Sequence, residues 1–303
     1  MKKMTGEAKI KKSKGKNKEN FVGYTFVLPF IIAFIIFTGI PFIISMGLAF
    51  VNVKFITNIE NLRFVWFDNF IRMFQSKETL EALWKTIQYS LLYVPTIMVI
   101  GFVLALLLNK GVYFKKTVRA FMFLPYVSNM VAVAVIFKLL LGPKGLIGQF
   151  LLNLGLERPL LLNTTWALPT VVMVAVWKGV GLNMITYIAA LQGVSTELLE
   201  AAQIDGANKW EQIKHVTIPM VSPTTFFLII SSIITSLQNF TVIQSLTEGG
   251  PGRTTTVMSI NIVRTAFVKY ETSYASAQAM IMFAIVMIIT IVQWRGQKKW
   301  VNY

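Results

Sequence analysis

The chain has 303 residues, of which 55% are hydrophobic and 14% charged, and its formal net charge is +16. A soluble domain carries about a quarter of its residues as charged side chains. On a globular fold, so much apolar surface would leave large patches exposed to water. The composition therefore excludes an ordinary soluble domain and indicates a membrane protein.

The residue inventory excludes several classes of chemistry. The sequence has no cysteine and one histidine, His215. Disulfides, cysteine-based zinc sites and thiol nucleophiles therefore lack their side chains, and a Ser-His-Asp triad would have to use His215. No G-x-x-x-x-G-K-[ST] motif is present, so chemistry on a nucleotide would need a partner. We expect a chain that is not an enzyme and that binds no metal or cofactor of its own.

Six stretches with almost no charge predict membrane spans, because a helix needs about 20 apolar residues to cross the bilayer core. The fourth stretch is interrupted by Lys178, and it is long for one helix yet barely enough for two. The six stretches are residues 21–53, 86–109, 120–137, 159–196, 215–247 and 272–294.

The distribution of basic residues predicts how these spans are oriented. Residues 1–20 hold eight lysines against two acids, residues 110–119 hold four basic side chains, and residues 295–303 hold three more. Basic segments that flank spans stay in the cytoplasm, so the number of spans must be even. One helix in the fourth stretch gives six spans, whereas two would place the basic C-terminal tail outside.

We therefore predict an all-α membrane protein with six transmembrane helices and both termini in the cytoplasm. Its parts are a basic tail at 1–20, a transmembrane domain at 21–294 and a second basic tail at 295–303. The first tail is expected to lie near anionic lipid, not nucleic acid. Three segments would face outward, namely residues 52–83, 142–165 and 248–271.

The cytoplasmic segment between the fourth and fifth spans, residues 196–215, is acidic where the other cytoplasmic segments are basic. We call it the elbow. Ser195 or Thr196 can cap a helix at its start, and Gly206 would interrupt that helix. Asn208 and the glutamate three residues later form a capping-box pattern. The pattern predicts two short helices that present small residues and acids to a protein partner. The alternative is a capped helix that rests on its own bundle.

The elbow reads EAA at 200–202 and DGA at 205–207, and TIP follows at 217–219. This combination resembles the E-A-A…D-G-A…I-x-L-P signature of permease subunits in binding-protein-dependent ABC importers. The strings LTEGGP at 246–251 and DNF at 68–70 are similar to the carbohydrate-uptake branch of that family, which includes the larger maltose-transporter permease. One departure is Ile213, where an aromatic residue is commoner.

The resemblance implies that the elbow is the coupling helix, which docks on a cytoplasmic ATPase subunit. It also implies a second, homologous permease subunit, two ATPase subunits that bind ATP and Mg, and a place in the bacterial cell membrane. An extracellular solute-binding protein would meet a flexible loop at 248–252. The residues implied in ATPase coupling are Glu200, Ala201, Ala202, Asp205, Gly206 and Ala207.

Polar residues inside the spans predict a substrate path. A charge in the fourth span is costly unless it faces a partner or water, and the fifth span has four polar residues at i, i+3, i+4 and i+7. Neutral hydrogen-bonding groups with aromatic platforms suit a sugar. The alternative is that these side chains form hydrogen bonds within their own helix or between neighbouring helices. The predicted substrate-binding residues are Trp177, Lys178, Gly179, Leu182, Asn183, Ser232, Thr235, Ser236 and Asn239.

The family resemblance supports part of this set. Positions that match Lys178, Gly179 and Leu182 in the fourth span, and those that match Thr235, Ser236 and Asn239 in the fifth, contact the sugar in the maltose-type permease. Lys178 departs from the apolar residue of that permease. The lysine would either favour an acidic or phosphorylated sugar or pair with a backbone carbonyl.

We therefore predict an ABC importer permease that forms half of the path for a sugar or oligosaccharide. One alternative is an ABC permease for glycerol-phosphate-type solutes. Another is an ion-coupled secondary sugar carrier, which usually needs acids inside the membrane. Every Asp and Glu of this chain lies outside the charge-free stretches, which argues against the carrier.

Overall fold

The computed structural model describes residues 23–53, 62–109, 114–155 and 159–300, with side chains as far as residue 297. The predicted tail at 1–20 lies outside the described residues. In chain order the elements are α1 (Gly23–Leu48), β1 (Val51–Asn52), β2 (Arg63–Phe64), α2 (Asp68–Gln75), α3 (Lys77–Asn109), α4 (Lys115–Val127), α5 (Met130–Leu141), α6 (Leu146–Asn153), α7 (Ala167–Gln192), α8 (Thr196–Ile204), α9 (Lys209–Gln212), α10 (Ile218–Met220), α11 (Ser222–Leu237), α12 (Thr241–Leu246), α13 (Met258–Phe267) and α14 (Thr272–Trp300).

The described chain contains five helices that are long and apolar enough to cross a membrane. They are α1, α3, α5 with α6, α7 and α14. A sixth is obtained if the bent pair Lys209–Met220 and Ser222–Leu237 counts as one span. The chain is therefore a mostly helical, multi-pass membrane protein, as the composition predicts.

Helix α7 is the centre of the bundle, and glycines on both sides let its neighbours approach closely. A Cβ on Gly101 of α3 would lie 3.0 Å from Cβ of Asn183 on α7. A Cβ on Gly181 of α7 would lie 2.3 Å from the carbonyl oxygen of Met122 on α4. Small residues at crossings of this kind allow backbone contact between membrane helices. Helix α7 is therefore packed between α3 and α4.

A small hairpin ties the end of α1 to the rest of the molecule. Strands β1 and β2 pair antiparallel, with Val51 opposite Phe64. Asn69 of α2 donates its Nδ2 hydrogens to the carbonyl oxygens of Ala49 and Val51, at 2.9 and 3.0 Å. The sequence analysis did not predict these strands, because each is two residues long. Asn69, part of the DNF string, is therefore a structural residue in this fold.

Two of the predicted spans are not continuous helices. The stretch at 120–137 is divided between α4, which ends at Val127, and α5, whose first turn is capped by Asn129. The stretch at 215–247 bends by 68° between α10 and α11 and ends its long helix at Leu237. Prolines explain both corrections, because Pro125, Pro219 and Pro223 each lack the N–H of a regular helix. Counting charges could not detect these breaks.

Helix boundaries next to charged residues also differ from the prediction. Helix α3 begins at Lys77, not at residue 86, and its first turns carry charged side chains. The predicted outward segment 248–271 contains α13, whose Met258 and Ile260 are fully buried. The predicted tail at 295–303 begins as a continuation of α14 to Trp300. Charge ends an apolar stretch, but it does not end a helix.

Candidate functional site

The start of the elbow has the local structure that its sequence predicts. The Ser195 hydroxyl accepts a hydrogen bond from the backbone N–H of Leu198 at 3.4 Å, which caps α8. Helix α8 ends at Ile204, and Gly206 follows with φ of +85°. No atom lies within 4 Å of a Cβ built on Gly206. Glycine is therefore favoured by the backbone angle and not by lack of space.

The second half of the elbow begins with the predicted capping box. The side chain of Asn208 accepts from the backbone N–H of Glu211 at 3.0 Å, and the Glu211 carboxylate accepts from the backbone N–H of Asn208 at 2.7 Å. This reciprocal pair fixes the entry to α9. Glu211 is therefore used inside the elbow, and it is less available to a partner than the other acids.

The exposed surface of the elbow combines acids with large apolar side chains. Glu200, Ala201 and Asp205 are exposed, and the elbow acids form no ion pair within the described residues. Ile204 is 87% exposed and Trp210 is 69% exposed. The prediction emphasised the small residues, of which Ala202 and Ala207 are half-buried. Ile204 was missed, although its place at the end of α8 between polar neighbours could have indicated exposure.

The inner side of the elbow faces the ends of two membrane helices across a cavity. A cavity of about 260 Å³ separates the elbow from the ends of α3 and α7. Its lining includes Asn109 of α3, Leu191 of α7 and Gln212 of the elbow. Gln212 also donates its Nε2 hydrogen to the carbonyl oxygen of Ala207 at 2.9 Å. The elbow is thus internally braced next to both helices.

Lys178 binds backbone carbonyls at the break between α4 and α5. Its Nζ donates to the carbonyl oxygens of Pro125, Tyr126 and Ser128, at 3.2, 2.9 and 2.9 Å. A lysine ammonium has three hydrogens, and all three have acceptors here. The structure therefore shows the second of the two predicted roles of Lys178, which is pairing with a carbonyl.

Two other predicted residues of the fourth span face α3. A Cβ on Gly179 would lie 3.0 Å from the Tyr93 hydroxyl oxygen and from Cδ1 of Ile97. Asn183 is buried, and its Nδ2 lies 3.8 Å from the sulfur of Met98. Both residues therefore lie in a contact between helices.

The predicted polar face of the fifth span is divided by the fold. Ser232 and Ser236 are buried, and the Ser236 and Ser90 hydroxyl oxygens lie 2.7 Å apart. Asn239 follows the end of α11 and donates its Nδ2 hydrogen to the Tyr89 hydroxyl at 2.6 Å. These three residues face α3. Thr235 is exposed, and it therefore points away from that contact.

Trp177 and Leu182 keep exposed surface on α7. Trp177 is 44% exposed and meets the Phe137 ring edge-on, with centroids 5.2 Å apart. It lines an apolar groove of about 470 Å³ between α3 and α7. Leu182 is 38% exposed. The nine predicted residues are thus distributed over different surfaces of α7 and α11, and their role in binding substrate stays a prediction.

The loop at 248–252 is held by hydrogen bonds in this structure. Thr255 and Thr256 donate their hydroxyls to the carbonyl oxygens of Gly250 and Gly249, at 2.7 and 2.8 Å. Arg253, next in the chain, lies 3.4 Å from the Glu78 carboxylate and donates to its carbonyl oxygen at 3.0 Å. These contacts attach the loop to the start of α3, whereas the prediction was a flexible loop.

The described residues contain no group of three or more His, Asp or Glu side chains that could hold a metal ion. The charged groups that do meet are ion pairs near the ends of helices. Arg72 lies 2.8 Å from Glu271, and Lys269 lies 2.6 Å from Glu78. Pairs of this kind stabilise surface contacts weakly, and they offer no site for catalysis.

Proteins with similar sequences are membrane components of transport systems. A family model described as binding-protein-dependent transport system inner membrane component matches residues 97–296. The probable ABC transporter permease protein YesP of Bacillus subtilis (strain 168) is 33% identical over 308 residues, which cover 99% of this chain and 98% of YesP. The sn-glycerol-3-phosphate transport system permease protein UgpA of Escherichia coli (strain UTI89 / UPEC) is 31% identical over 243 residues, which cover 80% of this chain and 82% of UgpA.

The fold is also similar to that of solved transporters. A crystal structure of a bacterial ABC transporter involved in the import of the acidic polysaccharide alginate matches with a TM-score of 0.83 at 26% identity, over 96% of this chain and 100% of that chain. The alginate transporter in complex with an alginate pentasaccharide-bound periplasmic protein matches with a TM-score of 0.81 at 27% identity, over 94% and 96%. The family model covers well over half of the chain and YesP nearly all of it. The chain therefore belongs to the family of binding-protein-dependent transport system inner membrane components.

Proposed function

We propose that the chain forms one half of the membrane path of an ABC importer for a sugar or oligosaccharide. Members of its family are transport components and not enzymes. The observation that carries the substrate class is the match over almost the whole chain to a transporter that imports an acidic polysaccharide. A second permease subunit, two ATPase subunits that bind ATP and Mg, and a solute-binding protein complete the proposed assembly.

In this proposal the bent helix pair is the fifth of six spans. Six spans place the basic segments at 1–20, 110–119 and 295–303 on one side of the membrane. The positive-inside rule makes that side the cytoplasm. The elbow then also faces the cytoplasm, where the ATPase subunits would be.

The elbow is proposed to be the coupling helix. Closure of the ATPase subunits on ATP would press on its exposed face, where Ile204 and Trp210 supply apolar area and Glu200 and Asp205 supply charge. The ends of α3 and α7 lie directly behind this face. Because packed helices move as rigid bodies, the pressure would rotate α3 and α7 together and switch access to the path.

The proposed path runs along the exposed surfaces of α7 and α11. Leu182 of α7 and Thr235 of α11 are exposed, and Gln238 beyond α11 is exposed as well. Gly179, Asn183, Ser232, Ser236 and Asn239 would act indirectly in this arrangement, by positioning α7 and α11 against α3. A hydroxyl and an amide on an otherwise apolar surface suit the hydroxyl groups of a sugar.

A phosphorylated solute is the second candidate, because UgpA belongs to a sn-glycerol-3-phosphate transport system. The geometry of Lys178 weakens this candidate. All three of its hydrogens are directed to carbonyl oxygens, so a phosphate would have to displace contacts that already satisfy the ammonium. A sugar that makes no contact with Lys178 needs no such displacement.

Uptake into proteoliposomes tests the proposed function. The chain is reconstituted with a second permease, an ATPase and a solute-binding protein from the same organism, and with ATP inside the vesicles. We expect uptake of labelled sugar oligomers that requires ATP and every partner. Glycerol 3-phosphate is the comparison solute. Uptake driven by an ion gradient in the absence of the ATPase would contradict the importer and favour a secondary carrier.

A further inference from the structure

We propose that the cleft between α3 and α7 binds one anionic phospholipid, with its phosphate at Lys85 and an acyl chain along the apolar groove. The cleft consists of two cavities that share Leu92 and Pro169. The cavity near the start of α3 measures about 460 Å³, and the apolar groove measures about 470 Å³. The two cavities are therefore parts of one continuous surface.

The end near the start of α3 has the side chains of a lipid headgroup site. Trp84 is 55% exposed, and Lys85 and Gln88 lie beside it on α3. Tryptophan is enriched where a protein meets the headgroup region of a bilayer, and a lysine near the end of a span can extend its ammonium to that region. The hydroxyl-bearing residues Thr164, Thr165 and Thr254 line the opposite wall.

The charge of Lys85 is not compensated by an acid in the part of the chain that the structure describes. Its Nζ donates to Oε1 of Gln88 at 3.0 Å. Glu81 lies one helical turn earlier, but its carboxylate is 3.9 Å from Lys77 and 3.8 Å from Arg253. A half-buried ammonium without a carboxylate, next to hydroxyl donors, suits the phosphate of a lipid.

The dimensions of the apolar groove match an acyl chain. Its α3 wall runs from Leu92 to Leu104, a rise of about 18 Å at roughly 1.5 Å per residue. One leaflet is about half of the roughly 30 Å hydrocarbon core. A volume of about 470 Å³ over that length has a mean cross-section of roughly 26 Å². The groove is therefore long and narrow, as a single acyl chain requires.

The polarity of the groove argues against a sugar. Thr96 is the one hydroxyl-bearing residue among the described residues that line it, and its Oγ1 donates to the carbonyl oxygen of Leu92 at 2.6 Å. Hydroxyl groups of a sugar would therefore lose their water without gaining partners. An acyl chain has no such cost.

Native mass spectrometry of the purified transporter assembly tests this proposal. The assembly, which contains the full chain, is stripped with detergent and mixed with phosphatidylglycerol or phosphatidylcholine of matched acyl chains. We expect one phosphatidylglycerol to be retained for each copy of this chain, at about five-fold higher occupancy than phosphatidylcholine. Inorganic phosphate in excess should not displace the lipid, since it lacks the acyl chain.

Two matched pairs of variants locate the lipid. Lys85→Gln should reduce phosphatidylglycerol retention about five-fold, to the phosphatidylcholine level, whereas Lys77→Gln removes an equal charge from a side chain that is 90% exposed and should change nothing. Thr96→Phe should fill the groove and remove both lipids, whereas Val99→Phe, at a position 62% exposed outside the groove, should remove neither.

Retention of phosphatidylglycerol at the wild-type level in either Lys85→Gln or folded Thr96→Phe would overturn the proposal. So would a map of the assembly in which a partner helix or a sugar chain occupies the groove. The charge-removing variant changes an exposed polar end, so it is informative even where the phenylalanine variant fails to fold.

Discussion

At the scale of single residues, Lys178 shows how a charge is kept inside an apolar bundle. Carbonyl groups at the C-terminal end of a helix have no helical partners further along, and α4 ends at Val127 beside this lysine. The ammonium gains three acceptors, and the negative end of the helix dipole gains a cation. These hydrogen bonds therefore offset two costs in the membrane, that of the lysine charge and that of carbonyl groups without helical partners.

Lys178→Met should destabilise the bundle, because it removes hydrogen bonds to a charged group at about 2 kcal/mol in total. We expect the Tm of the purified assembly to fall by about 3 °C. Lys138→Met is the control, since Lys138 makes a 3.6 Å surface ion pair with Glu248 and should shift Tm little. A Lys178→Met protein with unchanged Tm but altered substrate preference would instead assign the lysine to the substrate.

Gly206→Ala should weaken the coupling of ATP hydrolysis to transport. The φ of +85° at this position costs a residue with a Cβ about 1–2 kcal/mol, so the bend of the elbow should shift. We expect a roughly ten-fold lower substrate-stimulated ATPase rate. Gly193→Ala is the matched control, since Gly193 has φ of −86°. Equal ATPase rates in the two variants would contradict the role of the bend.

At the scale of elements, helix α11 has one buried face and one exposed face. One face, with Ser232 and Ser236, is buried and packs against α3. The other carries the exposed Thr235. Helix α13 also contacts α3, where the backbone N–H of Met258 donates a hydrogen bond to the Thr86 hydroxyl at 2.7 Å. Hydrogen bonds between helices therefore organise α3 as the common partner of α11 and α13.

Thr235→Leu and Ser236→Leu separate the two faces experimentally. Thr235→Leu should reduce uptake with little change in Tm, because the side chain contacts no core. Ser236→Leu should lower Tm by several degrees. The Ser236 and Ser90 hydroxyl oxygens lie 2.7 Å apart, so a leucine side chain would have to fit into a space that is already filled. Thermal unfolding and uptake are measured on the same preparations. A reversed pattern would mean that the path runs along the Ser236 face.

At the scale of the whole molecule, the two ends of the helices have different chemistry. The elbow is acidic and apolar at one end of α3 and α7. At the other end of α3, Glu78 lies 3.4 Å from Arg253 and 2.6 Å from Lys269, in a group of ion pairs. A force applied to the elbow would therefore act on α3, whose far end is held by Arg253, the residue that follows the loop at 248–252.

Single-cysteine labelling tests the orientation of the molecule, and the native chain helps because it contains no cysteine. Ile204→Cys and Val268→Cys place thiols outside the candidate spans, at sites that are 87% and 69% exposed. A membrane-impermeant maleimide should label residue 204 in inverted vesicles and residue 268 in right-side-out vesicles. ATPase subunits should protect residue 204. Labelling of both sites from the same side would contradict six spans.

The sequence by itself determined the membrane class, the elbow as a candidate coupling element and the local structure of that elbow. These features depend on composition, on contacts between residues a few positions apart, such as Asn208 with Glu211, and on the backbone angle of a single residue, such as the positive φ of Gly206. The family signature followed from the same short segment. Local interactions are readable from sequence because they involve one element at a time.

The tertiary structure alone decided which polar side chains are exposed and which hold helices together. Periodicity placed Thr235 and Ser236 on one face, but packing against α3 separates them. The sequence shows that Lys178 places a charge in a span, but it does not show what the charge binds. The three carbonyl acceptors of Lys178 are defined by the fold, which places the end of α4 beside α7. The cleft from Trp84 to Leu104 exists because two helices that are distant in sequence pack side by side, and contacts of that kind are set by the whole fold.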